Sequence, residues 1–177
     1  MKSGIAGAAP ELLVKRALAG GVLSGVTNDE KLTIIAAGKA SSAMTSAFVS
    51  AINNPVHGLV AAPQTGRRIE GMECFDVGHP IPTEGSVKAG RRALELASDV
   101  PKGNILVVLL SGGASAGLTV PVKGITLDDK ARVTKMLLES GISIDGLNCV
   151  RKHLSAIKGG RLALATGGRC ITLAISD

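Results

Sequence analysis

Hydrophobic positions along this chain switch between two periods. Residues 105–110, Ile-Leu-Val-Val-Leu-Leu, form an unbroken apolar run, the pattern of a strand covered on both faces. Residues 32–37, apolar except for Thr33, also read as a strand, and the stretches 59–62, 74–77 and 170–175 predict three further strands. Between them the spacing becomes helical. Residues 40–52 place Ala40, Ala43, Met44, Ala47, Phe48 and Ala51 on one face, and 84–97 set Val87, Arg91, Leu94 and Ala97 three or four apart. Leu12, Leu13, Val14, Ala17 and Leu18 suggest a short first helix ending at Gly20-Gly21. Another helix is expected over 127–139, where Thr126 is a suitable N-cap and Asp128 and Asp129 favour the positive end of the helix dipole. Val150, Leu154 and Ile157 predict one more helix over the basic stretch around them. Strands alternating with helices are the signature of βαβ units, so the fold is expected to be α/β, with a mostly parallel sheet and helices on both faces. A length of 177 residues suits one such domain. The last apolar strand runs straight to Asp177 without a covering helix, which reads as a piece of a longer protein.

In an open α/β sheet, ligands sit at the carboxyl ends of the strands. After the strand at 105–110 comes Ser111-Gly112-Gly113-Ala114-Ser115-Ala116-Gly117, small residues that let a ligand approach the backbone and whose free N–H groups favour an anion. This is not the dinucleotide fingerprint, which requires G-x-G-x-x-G and an acidic residue about 20 positions on. After the strand at 32–37 comes Gly38-Lys39-Ala40, a lysine at a helix start that can reach phosphate oxygens. A Walker A loop would need glycine where Thr33 stands. Gly78-His79-Pro80-Ile81-Pro82-Thr83-Glu84 leads into the helix at 84–97, with Thr83 as its cap and His79 as either a ligand contact or a structural residue. Asn148 to Arg161 is the richest polar segment. On a helix, Arg151, Ser155 and Lys158 fall at i, i+4 and i+7, a face that suits either solvent or a carboxylate or phosphate.

Composition narrows the partners. Hydrophobic residues make up 45%, mean hydropathy is +0.33, and Trp and Tyr are absent, leaving an aliphatic core and no rings for stacking on single-stranded nucleic acid. The net charge of +6 is dispersed apart from Arg151, Lys152, Lys158 and Arg161, which favours a small anionic ligand over a nucleic acid. Cys74, Cys149 and Cys170 are widely spaced and odd in number, as expected of buried free thiols in a reducing cytoplasm. No apolar run approaches a membrane span of about 18 residues. Glu11, Lys15 and Arg16 interrupt any signal-like N-terminal stretch, so the start reads as mature sequence.

Four segments together resemble the N-terminal domain of the glycerate 2-kinase family, long labelled hydroxypyruvate reductase. They are Ala37-Gly38-Lys39-Ala40, Gly78-His79-Pro80-Ile81-Pro82, Leu110 to Ala116, and Val150 to Ala163, which occur in family order. The resemblance implies a Rossmann-like domain covering residues 1–177, with the C-terminal domain absent and the active site in the cleft facing it. It implies ATP-dependent phosphorylation of D-glycerate at its 2-hydroxyl, with Mg²⁺ bridging the nucleotide phosphates. Lys39 matches the family lysine that acts on the transferring phosphoryl group, whereas Thr83 stands where relatives often carry an acidic residue. Phosphoryl transfer is mainly positioning and charge neutralisation. Accordingly Gly38, Ser111, Gly112, Gly113, Ala114, Ser115, Arg151, His153 and Lys158 are the expected substrate and phosphate contacts. The expected partners are D-glycerate and a nucleotide, with room for a homo-oligomer. Two alternatives remain open. One is an NAD(P)H-dependent hydroxypyruvate reductase, disfavoured by the missing fingerprint; the other is a phospho-ligand-binding fragment without turnover.

Overall fold

The computed structural model describes residues 9–64 and 68–176; the N-terminal start and Asp177 lie outside them. Strands β1 (Leu32–Ala37), β2 (Val56–Ala62), β3 (Met72–Asp76), β4 (Ile105–Leu110) and β5 (Arg169–Ala174) form one sheet in the order β3-β2-β1-β4-β5. Every neighbouring pair is parallel. Central β1 and β4 run in register from Leu32 against Ile105 to Ala37 against Leu110.

The continuous apolar runs have a simple cause, since successive side chains of a strand point to opposite faces and both faces here are covered. Ile105, Val107 and Leu109 join Leu32, Ile34 and Ala36 in one core layer, while Leu106 and Val108 join Ile35 and Ala37 in the other. Helices α1 (Pro10–Ala19) and α2 (Ser41–Ser50) cover the first layer with Val14, Met44, Ala47 and Phe48. Helix α3 (Glu84–Ser98) covers the second with Ala89, Ala93 and Leu96, beside two short helices, α4 (Ala114–Gly117) and α7 (Arg161–Ala165). Helices α5 (Leu127–Glu139) and α6 (Ile144–His153) pack on each other.

With so few aromatics, Phe48 is the largest fully buried side chain. Phe48→Leu is expected to lower unfolding free energy by about 1–2 kcal/mol through the void it leaves, measured as a drop in urea midpoint at constant slope.

Several expectations are corrected. Strand β2 starts at Val56, because His57 and Gly58 mask a strand whose backbone lies so close to β1 that a Cβ at Gly58 would meet the Ile34 carbonyl. The inward face of α3 runs through Val87, Gly90, Ala93 and Leu96, leaving Arg91 exposed. Gly90 is needed there, since a Cβ would stand 2.9 Å from the Thr119 carbonyl oxygen. The cysteines are free, but Cys74 and Cys149 are exposed rather than buried. The basic stretch is not one helix either. Helix α6 ends at His153, and the next residues turn to pair with an upstream segment, Ala156 N–H donating to Val120 O at 2.8 Å and Pro121 bridging Ser155. Ser155 is thus fully buried, and the helical face shared by Arg151, Ser155 and Lys158 does not exist. Among the described residues no helix is long and apolar enough to cross a membrane.

Candidate functional site

The strand order reverses direction between β1 and β4, one connection leading away on each side, and this opens a crevice at their carboxyl ends. The two turns that leave these strands are joined by hydrogen bonds. Ser111 N–H donates to Ala37 O at 3.0 Å, Lys39 N–H to Gly112 O at 2.9 Å, and Ala40 N–H to Ser111 Oγ at 3.0 Å. Ser41 Oγ closes the first turn by donating to Gly38 O at 2.7 Å. Gly38 has φ +113°, and a Cβ there would strike the hydroxyl and carbonyl of Ser111. Only glycine meets both the conformation and the close approach. Lys39 extends from this junction as an exposed side chain.

Further along the second turn, Gly113 has φ +89° and lies under the His79 ring, which a Cβ would displace. Among the described residues the N–H groups of Gly112 and Gly113 have no hydrogen-bond acceptor, so both remain free for a ligand. Ser115 Oγ then accepts from Arg151 Nη2 at 3.0 Å. Behind that pair is a cavity of about 570 Å³ bounded by the turn at 80–82, Ser115, Thr119, α5, Arg151 and Lys158. A second cavity of about 360 Å³ shares Ser115 and Lys158 as its wall and reaches Ala114, Gly159 and Gly160.

The electrostatics of the larger cavity are one-sided. Lys158 Nζ donates to Leu118 O at 2.7 Å, and Lys130 on α5 is buried at 8% exposure. Neither they nor Arg151 form an ion pair among the described residues. Burial, reinforced by the charges of Lys130 and Arg151, pushes the Lys158 ammonium down to about 7. Burial and then Arg151 lower Lys130, and burial alone lowers Arg151. Between pH 7 and 10.5 the unfolded chain keeps the Lys158 proton that the folded chain releases, so stability should rise with pH across that interval. Lys158→Met is expected to flatten this rise and to raise the urea midpoint near neutrality. One pKa unit is about 1.4 kcal/mol, so half of the shift is worth roughly 2 kcal/mol.

The structure therefore sorts the expected site residues into groups. Gly38, Lys39, Ser111 and Gly112 meet at the junction of the turns, while Ser115, Arg151 and Lys158 meet at the cavity. Ala114 faces the smaller cavity. His153 is outside both, its Nδ1 within 2.8 Å of its own helix at Cys149 O. Arg161, part of the basic patch, serves structure by donating to the carbonyls of Lys152 at 3.0 Å and Ser155 at 2.8 Å. Lys130 went unnoticed in the sequence. Its signal was a lysine on the stripe Lys130, Val133, Thr134 and Leu137, the least exposed face of α5. No group of three His, Cys, Asp or Glu suited to a metal ion occurs among the described residues.

A family profile described as a domain of unknown function (DUF4147) matches residues 1–177. A D-glycerate 2-kinase of Thermotoga maritima is 34% identical over 154 residues, covering 85% of this chain and 37% of that protein. A glycerate 2-kinase of Pyrococcus horikoshii is 37% identical over 147 residues, covering 83% of this chain and 33% of the relative. The crystal structure of glycerate kinase from Thermotoga maritima matches with a TM-score of 0.89 at 33% identity, covering 99% of this chain and 42% of that one. The chain thus spans well under half the length of the relatives it matches. It belongs to the DUF4147 family and corresponds to the N-terminal part of glycerate 2-kinases.

Proposed function

We propose that this chain carries the phosphate-facing part of a glycerate 2-kinase, which transfers a phosphoryl group from ATP to the 2-hydroxyl of D-glycerate. The observation that carries the reading is the convergence of two glycine turns and a cluster of basic side chains, without an ion pair among the described residues, at the carboxyl edge between β1 and β4. Catalysis of phosphoryl transfer needs positioned cations and backbone donors more than a nucleophilic side chain, and this edge offers both. Lys39 stabilises charge on the transferring phosphoryl group. The N–H groups of Gly112 and Gly113 hold a phosphate or the glycerate carboxylate, while the Ala114 N–H, expected to join them, donates to Ser111 O at 3.1 Å, and Gly38 and Ser111 keep the two turns together. Arg151 and Lys158 neutralise anionic oxygens at Ser115, and His153 takes no part. Mg²⁺ enters with the nucleotide phosphates. The described residues hold no group of three His, Cys, Asp or Glu to bind it, and these roles are those of the chain's own cations and N–H groups. The remaining part of the site comes from a C-terminal domain, and the three free cysteines suit a cytoplasmic setting.

The test is ADP release from ATP on adding D-glycerate, assayed on this chain and on a version lengthened to the size of its relatives. Activity in the longer protein alone is the expected result. Hydroxypyruvate-dependent NADH oxidation in place of phosphoryl transfer would overturn the reading.

A further inference from the structure

The cavity at Ser115 is larger and more strongly charged than a three-carbon acid requires. At about 570 Å³ it has the size of a site for a drug-sized ligand. Lys130, with Arg151 and Lys158, has no acidic partner among the described residues, whereas the lining cations Arg132 and Lys135 are answered by Asp129 and Glu139. Asp128 is the one carboxylate among the lining residues. Apart from the hydroxyls of Ser115, Thr119 and Thr134 the rest of the lining is apolar, with Ile81 and Leu138 69% and 61% exposed. A monocarboxylate would answer one of these three basic groups and leave that apolar surface in water. A polyphosphate attached to a planar base satisfies both demands.

We propose that this cavity seats the nucleotide, a nucleoside di- or triphosphate, with its phosphates on Lys130, Arg151 and Lys158 and its base between the turn at 80–82 and α5. The proposal deepens the kinase reading and depends on it for the nucleotide's role, while binding can be measured without turnover. It assigns Lys130 a function and divides the site, with the nucleotide at Ser115 and the acceptor at the exposed Lys39 junction. A proton accompanies binding. Lys158, held down to about 7 by burial, Lys130 and Arg151, regains its proton when a polyanion arrives. Arg132, Lys135 and Asp128 of α5 line the same cavity, and the first two are ion-paired along their own helix.

The experiment is isothermal titration of ADP, AMP and D-glycerate into this chain at about pH 8, in buffers of different ionisation enthalpy. ADP is expected to bind at least about tenfold more tightly than AMP, and to take up a proton that Lys158→Met removes. Lys130→Met and Ile81→Asp should each weaken ADP by about tenfold, with circular dichroism unchanged. The first variant discards a buried charge and the second lies at an exposed position, so neither threatens the fold. Absence of ADP binding, or affinity indifferent to both variants, overturns the proposal. So does loss of D-glycerate affinity in Lys130→Met with ADP unaffected, which would make the cavity the acid's own seat. The kinase reading fails separately, if the lengthened protein transfers no phosphoryl group while ADP binding keeps its sensitivity to both variants.

Discussion

Lys39→Ala in the lengthened protein should lower kcat for phosphoryl transfer by roughly 10²–10³, with the KM for D-glycerate changed little. The split between the two constants follows from what the side chain contacts. Lys39 is tethered through its backbone, whose N–H donates to Gly112 O at 2.9 Å, so truncating the side chain leaves the turn in place. The exposed ammonium forms no ion pair among the described residues and is free to meet charge that develops on the transferring group. A group that acts mainly in the transition state contributes to kcat and not to ground-state binding. The thermal midpoint of the variant serves as the control and should stay within about a degree or two. An unchanged kcat removes Lys39 from the mechanism.

Gly38→Ala should abolish activity and also destabilise the domain by about 2–4 kcal/mol. Two costs add at this position. The backbone sits at φ +113°, which an alanine resists, and the new Cβ would enter the space of the Ser111 hydroxyl and stand 2.9 Å from the Gly112 carbonyl oxygen. Relief requires the β1 and β4 turns to separate, breaking the bonds from Lys39 N–H and Ala40 N–H. Gly25→Ala is the internal comparison. Its φ of +82° carries conformational strain but no described residue lies within 4 Å of an added Cβ, so it should cost only about 1 kcal/mol and leave activity intact. Equal losses at the two positions would mean that strain alone matters and that the contact between the turns is incidental.

The central strands were readable from the sequence because a strand covered on both faces leaves a largely apolar run, unbroken over residues 105–110 and interrupted only by Thr33 over residues 32–37. Helix α5 was readable at its start. Thr126 Oγ1 accepts from Asp129 N–H at 3.0 Å while the Asp129 carboxylate accepts from Thr126 N–H at 2.9 Å, a local signal that needs no tertiary partner. The segment after His153 was misread because Val150, Leu154 and Ile157 mimic a helical stripe. There the pairing of Ala156 with Val120, a contact distant in sequence, prevails over local spacing.

The candidate site was legible to a similar degree. Glycines between a buried strand and a helix mark where backbone must turn sharply, and the turns around Gly38 and Gly113 do so with positive φ. Arg151 and Lys158 still meet at Ser115, although a turn and not a helical face brings them together. Lys130 could not be singled out. A lysine between Asp129 and Ala131 on an amphipathic helix looks solvated until the helix is docked and its inward face is known. His153 shows the reverse, standing within the matching segment yet turned back onto Cys149 O.

The most direct measurement follows the phosphorus: ³¹P NMR of the lengthened protein with ATP, Mg²⁺ and D-glycerate, for the wild type and Lys39→Ala. The account predicts that the wild type forms 2-phosphoglycerate and ADP together, and that the variant forms both far more slowly. Phosphate appearing on the 3-hydroxyl, or no phosphorylated glycerate from a folded protein, would contradict it.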